Sequence, residues 1–349
     1  MGIDQLETPA AVVDVDKLEK NIHRLQNYLD KHGIANWPHI KTHKIPAIAQ
    51  KQIAAGASGI TCQKIGEAEI MAREGLQNIF LPYNIIGPAK LSRLMKLAQQ
   101  AQVSVTADSA FVVDGLSEAA WQHNLILPVL VEFDTGLSRC GVQTPLQAAD
   151  LARRIHQQSH LAFDGLMTYP VNERTDPFVQ ETKALLAPDG IPVRRVSGGG
   201  TPQMWQAHEH PAVNEYRAGM YIYGDRYTLR SGAMQLNEVT FSVITTVVSR
   251  PTPERGIIDG GSKTFSSDLM GLDGYGLILE YPQARISKLS EEHGIIDFSD
   301  CPERPEIGDR VTVIPNHCCS VTNLFNHIVS VRDGVVETIW PVAARGALQ

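Results

Sequence analysis

Pro38-His39-Ile40-Lys41-Thr42-His43-Lys44 sets a lysine after a short, largely apolar run and between two histidines. A lysine at the end of a buried strand, unable to hydrate its ammonium freely, can become a neutral amine at working pH. Schiff-base chemistry with a carbonyl group requires such an amine. The same residues also suit a solvated turn, so the segment takes its meaning from its surroundings. Ser197-Gly198-Gly199-Gly200-Thr201 offers a second kind of chemistry. Consecutive glycines let a backbone take positive φ and approach a ligand closely, and successive N–H groups then form a nest for an anion such as phosphate. A third kind lies in His317-Cys318-Cys319. On an extended chain, residues two apart share a face, so His317 and Cys319 can point at one ion. Imidazole with thiolate suits zinc, although two donors are an incomplete set and buried cysteines are common.

The elements that must position these residues alternate in type. Asp16 is placed to cap a helix whose Leu18, Ile22, Leu25 and Leu29 share one face, with Gly33 at its end. Strand-like runs follow at Asn36–Ile40, Ala57–Thr61, Ile79–Pro82, Val103–Ala107, Pro128–Phe133, Phe163–Met167, Arg194–Ser197 and Glu215–Ile222. Helical patterns separate them, which is the rhythm of a (β/α)8 TIM barrel. An open doubly wound sheet is the alternative, but no Gly-x-Gly-x-x-Gly follows an early strand. In a barrel the active site is built at the C-terminal ends of the strands. Lys41 then ends the first strand, Arg139 follows the fifth, Tyr169 the sixth and Ser197 to Thr201 the seventh, while Arg217-Ala218-Gly219-Met220 lies at the eighth. A lysine facing a phosphate cradle in one mouth indicates pyridoxal 5'-phosphate. Past about residue 235 the helices disappear. Phe241–Ser249, Gly256–Asp259, Arg310–Ile314 and Ile328–Val342 read as strands of a C-terminal β domain, and Asp333-Gly334 signals a two-residue hairpin. The expected division is therefore 1–235, whose early strand Ala10–Asp14 can join the β domain, and 236–349, which carries the metal pair.

Composition narrows the function classes. The chain has 349 residues, 43% hydrophobic and 20% charged, an ordinary globular balance. A net charge of -7 with only short basic clusters argues against nucleic acid. No apolar run reaches the ~18 residues of a membrane span. Met1 to Thr8 lacks the pattern of a secretory signal, and five scattered cysteines fit a reducing cytosol. A cytoplasmic protein is expected.

Several segments together resemble the fold-type III pyridoxal phosphate enzymes, whose barrel is that of alanine racemase. Within them the chain is most similar to the D-serine dehydratase and D-threonine aldolase group. The matching segments are Thr8-Pro9-Ala10, Pro38 to Lys44, Gly59-Ile60-Thr61-Cys62 with Glu67-Ala68-Glu69, Gly87-Pro88-Ala89-Lys90, Ser197 to Thr201, Asp259-Gly260-Gly261-Ser262-Lys263, Ser290-Glu291-Glu292-His293-Gly294, Pro315-Asn316-His317-Cys318-Cys319 and Ala344-Arg345-Gly346. The resemblance implies that Lys41 carries the cofactor and shuttles the α-proton, with Tyr169 beside it as a second catalytic side chain and cofactor contact. It implies that Arg139 faces the phenolic oxygen, that Ser197, Gly198, Gly199, Gly200 and Thr201 with Gly219 and Met220 hold the phosphate, and that Arg217 meets the pyridine nitrogen. It also implies a homodimer and a small-molecule D-amino acid substrate. His-x-Cys is the D-serine dehydratase pattern and His-x-Asp the aldolase pattern, which implies Zn2+ or another divalent metal on His317 and Cys319.

The expected activity is therefore a metal-assisted lyase on D-3-hydroxy amino acids, with elimination to a keto acid and ammonia favoured over retro-aldol cleavage to glycine and an aldehyde. Two departures bear on substrate choice. The run Tyr169-Pro170-Val171-Asn172-Glu173-Arg174 lacks the histidine common in relatives, and Trp37 stands where many have arginine; both are expected beside the substrate. An amino-acid racemase would need a second base, for which Tyr275 is a candidate, and would leave the His-x-Cys pair without purpose. A non-catalytic pyridoxal phosphate-binding protein would normally lack the β domain.

Overall fold

The computed structural model describes residues 1–349. The chain divides into two compact units. One comprises His23–Lys41, Ile48–Gly219 and Ala347–Gln349; the other comprises Met1–Ile22, Thr42–Ala47 and Met220–Gly346. Along this stretch the change of unit falls between Gly219 and Met220.

The first unit is the barrel. Eight parallel strands, Ala35–Asn36, Ile60–Thr61, Asn78–Leu81, Gln102–Ala107, Leu127–Glu132, Leu161–Met167, Arg195–Gly199 and Glu215–Arg217, form one curled sheet. In that sheet Ala35–Asn36 borders Glu215–Arg217. A bridge from His39 to Thr61, with Thr61 N–H donating to Pro38 O at 2.9 Å, joins the remaining edges. The apolar runs read from the sequence are buried on both faces, as parallel strands under helices must be. Inside the barrel, Phe80, Leu130 and Met167 pack together with Trp37 against them.

The second unit is mostly sheet. Strand Ala10–Asp14 lies antiparallel to Phe241–Thr252 and parallel to His327–Arg332, so the first strand of the chain belongs here. Phe241–Thr252 also pairs with Arg310–Ile314 and Arg255–Ile258. Asp333 and Gly334 both take positive φ, 50° and 75°, and join His327–Arg332 to Val335–Pro341. Two positive-φ residues match the right-handed twist of the flanking strands.

The helix Val15–Lys31 buries Leu18, Ile22, Leu25 and Leu29 as its pattern requires. Its cap differs from expectation. Asp14 Oδ1 accepts from Lys17 N–H at 3.0 Å, and Asp16 instead pairs with Arg332.

Candidate active site

Lys41 does not end a long strand. Pairing stops at Asn36, His39 makes one bridge, and Ile40–Thr42 is a single 3-10 turn that leaves Lys41 exposed. The flanking histidines hold this turn. His39 Nδ1 accepts from Lys41 N–H at 3.4 Å while Nε2 meets Gln63 Oε1 at 3.0 Å, and His43 Nδ1 accepts from Ile45 N–H at 3.1 Å. Lys44 is the buried lysine, with Nζ 3.5 Å from Ala344 O.

The loop after Leu127–Glu132 carries Arg139. Asp134 Oδ1 accepts from Gly136 and Ser138 N–H at 2.9 and 3.2 Å, and Asp108 Oδ2 accepts from Gly141 N–H at 3.1 Å. Asn172 Nδ2 donates to Thr135 O at 2.9 Å, tying this loop to the one after Leu161–Met167. The Arg139 guanidinium lies 5.4 Å from the centre of the Tyr169 ring, a cation–π distance. Glu132, which the sequence reading passed over, closes its strand buried, and burial pushes its carboxyl up to about 7, against the nearby charge of Arg139. The signal was there: a carboxylate ending an otherwise apolar run.

Ser197, Gly198 and Gly199 lie within the barrel strand Arg195–Gly199 rather than after it. A Cβ on Gly198 would meet Val171 Cγ2 at 2.4 Å, and one on Gly199 would meet Arg217 O at 2.9 Å. Gly200 turns the chain out with φ 124°, under the ring of Tyr169. Tyr216 Oη donates to Gly200 O at 2.8 Å, and Gly219 N–H donates to Thr201 Oγ1 at 3.3 Å. Close packing explains why Gly198 and Gly199 carry no side chain, and the positive φ of Gly200 beside the Arg217 charge is compatible with a phosphate at this strand end. Arg217 is buried in the barrel, where Nη1 donates to Ser197 Oγ at 2.6 Å and Nη2 to Thr168 O at 2.9 Å. Burial lowers its pKa to about 10, so it stays charged at neutral pH. Met220 opens the 3-10 turn Met220–Ile222 in the other unit.

Trp37 is not beside this mouth. Its ring packs 5.0 Å from the Arg195 guanidinium and borders a cleft with Gln102, Pro128 and Asp164, at the N-terminal ends of strands. Arg195 there is held by Glu215 at 2.7 Å and Asp164 at 2.8 Å. Trp37 is a packing residue of the opposite end.

The sheet unit brings His317 and Cys319 together by a route the spacing did not suggest. His317 is the extended N-cap residue of the short helix Cys318–Thr322, so a cap rather than a strand sets the pair. Asp225 Oδ2 accepts from Cys318 N–H at 2.9 Å and fixes the helix start. His317 Nδ1 lies 2.6 Å from Asp268 Oδ2, leaving Nε2 as the donor to an ion. Cys319 Sγ lies 3.3 Å from Thr42 Oγ1. The Cys318 thiol and then the His317 imidazole, working against burial, hold the Cys319 thiol well below its ordinary range. Burial pulls His317 down, but Cys319 and Asp268 outweigh it and raise its pKa to about 9. An imidazole in contact with a thiolate-favouring sulfur fits a zinc-like ion, which would replace the proton the two share. No group of three or more His, Cys, Asp or Glu is gathered in metal-binding geometry.

Known proteins agree with this architecture. The alanine racemase N-terminal domain family matches residues 13–227, and the serine dehydratase domain family matches residues 240–331. The chain belongs to the pyridoxal phosphate-dependent lyases built on the alanine racemase barrel. Among its relatives is a D-threonine aldolase of an Arthrobacter species, 33% identical over 98% of this chain and 93% of that one. The solved D-threonine aldolase of Filomicrobium marinum superposes with a TM-score of 0.92 at 28% identity, covering 100% of this chain and 99% of that one. D-threo-3-hydroxyaspartate dehydratase of a Delftia species gives 0.87 at 27%, covering 97% and 98%. A D-threo-3-hydroxyaspartate dehydratase is also solved as a histidine-to-alanine variant and, metal-free, as a cysteine-to-alanine variant two positions further on. No helix of this chain is long and apolar enough to cross a membrane.

Proposed function

We propose that this chain is a homodimeric lyase that removes the β-hydroxyl of D-3-hydroxy amino acids, as D-serine dehydratases do, releasing a 2-keto acid and ammonia. The observation that carries the reading is the His317–Cys319 pair, an imidazole held at Nδ1 by Asp268 and in contact with a thiol inclined to thiolate. The D-threo-3-hydroxyaspartate dehydratase variants support it, since their histidine and cysteine stand at the same spacing.

Pyridoxal phosphate, when bound, supplies the electron sink that acidifies Cα–H, and Zn2+ or another divalent ion supplies a Lewis acid for the β-oxygen. Lys41 would hold the cofactor through its Nζ, and that same amine would take the proton from Cα. Arg139 neutralises an anionic ring oxygen, with Tyr169 stacked against it orienting the substrate. Ser197 through Thr201, with Gly219 and Met220, bind the phosphate. Arg217, a cation with no acceptor to offer, would meet the ring nitrogen and could not protonate it as an acid residue would. His317 and Cys319 hold the ion. The electron pair of the Cα–H bond becomes the Cα=Cβ bond as Cβ–O breaks, and the hydroxide leaves with one proton as water. Hydrolysis of the resulting unsaturated amine gives the keto acid and ammonia.

Retro-aldol cleavage is the second reading, favoured by the D-threonine aldolase relatives. It requires a base on the hydroxyl proton, and Tyr169 to Arg174 offers no imidazole for that task. Product analysis with D-serine, D-3-hydroxyaspartate and D-threonine separates the two. Ammonia and keto acid in equal amounts support elimination; glycine with an aldehyde as the main product refutes it. Full turnover in exhaustively chelated protein refutes the metal role.

A further inference from the structure

We infer that Asp268 is the residue that orients His317 for metal binding, a positioning role resting on the reading of His317 and Cys319 as metal donors. The two side chains meet at 2.6 Å through Asp268 Oδ2 and His317 Nδ1. An imidazole that gives its Nδ1–H to a carboxylate is fixed in the tautomer that bares Nε2, and its ring is fixed in rotation as well. The second carboxylate oxygen is committed elsewhere: Asp268 Oδ1 accepts from Met270 N–H at 3.2 Å. Both oxygens are therefore assigned, and the carboxylate cannot swing away from the ring without losing a bond.

The loop that presents Asp268 has its own support. Ser266 Oγ accepts from Asp268 N–H at 3.0 Å, and Arg230 donates to Met270 O and Gly271 O at 2.8 and 2.9 Å. These bonds do not involve the Asp268 carboxylate, so a side-chain change leaves the loop largely built. Ser320 completes the surroundings, its Oγ 3.1 Å from His317 Nδ1 and 3.4 Å from Asp268 Oδ2. A hydroxyl there can take over the Nδ1–H only as a neutral acceptor, weaker than a carboxylate. The carboxylate also raises the basicity of the open nitrogen, which strengthens its bond to a cation.

The test is zinc affinity, measured by competition with a chromophoric chelator on cofactor-loaded protein, with the visible cofactor band as a check that the barrel site is intact. Asp268→Ala is expected to weaken zinc about 10- to 100-fold, the range for loss of such an outer partner. Asp268→Asn keeps an acceptor without the charge, so it should weaken zinc less and serves if the alanine variant misfolds. His317→Ala and Cys319→Ala are the reference losses. Wild-type zinc affinity in both Asp268 variants, with both reference variants impaired, overturns the positioning role and leaves the metal pair standing. Wild-type affinity in His317→Ala and Cys319→Ala overturns the metal pair and this role together.

Discussion

Glu132→Gln tests whether the barrel mouth stores an ionisation cost. The buried carboxyl has a pKa of about 7 in the folded protein against an ordinary 4.5, mainly because burial disfavours the charge. Below pH 4.5 the group is protonated in both folded and unfolded chains, so it contributes nothing to the difference. Between 4.5 and 7 the unfolded chain gives up the proton while the folded chain keeps it, and stability falls as pH rises. Above 7 both are ionised and the full cost applies. A gap of about 2.5 at ~1.36 kcal/mol per pH unit gives roughly 3 kcal/mol. Glutamine keeps the shape and cannot ionise. Urea titrations of both proteins, equally loaded with cofactor, should give matching stabilities near pH 4.5 and an advantage of up to ~3 kcal/mol for the variant at pH 8. A difference that does not change with pH, or a wild type that gains on the variant as pH rises, would refute the burial argument.

Borohydride reduction followed by peptide mapping should find the cofactor on Lys41; label on the buried Lys44 or on Lys263 would mean the mouth is misassigned. Gly199→Ala forces a Cβ to within 2.9 Å of Arg217 O, so backbone must move. About 1–3 kcal/mol of stability and most cofactor retention should be lost, read by thermal melts and absorbance after dialysis; retention equal to wild type would show that the cradle lies elsewhere. Sedimentation should find a dimer, because a barrel mouth open to water would let intermediates hydrolyse. A monomer fully active at high dilution is the result against it.

Much of the fold could be read from the chain because its elements announce themselves locally. The β/α rhythm comes from apolar runs, and Asp333-Gly334 is a turn that only a few residue pairs can make. The site was legible as a set of residue types more than as a geometry. Lys41 was expected on a buried strand, but pairing stops at Asn36 and the lysine rides an exposed turn held by its histidines. His317 and Cys319 were expected to meet across an extended chain, yet a helix cap joins them. Asp268 had no signal at all, since it meets His317 across 49 residues of chain and no periodicity encodes such a contact. Trp37 was misplaced for a related reason: the barrel strand is so short that counting from Lys41 does not tell which end a ring will occupy.

The glycine cradle is wall, not loop, and this limits how the protein can change. Gly199 is in register with Arg217 of the neighbouring strand, while Ser197 is in register with Met167 on the other side. Inserting or deleting one residue here would flip each following side chain to the opposite face and carry Arg217 away from Ser197 Oγ. The segment proposed to hold the phosphate and the buried guanidinium therefore form one mechanical part. Loops such as 134–141 and 169–174 can vary in length to suit new substrates, whereas this segment can be retuned only by substitution at constant length.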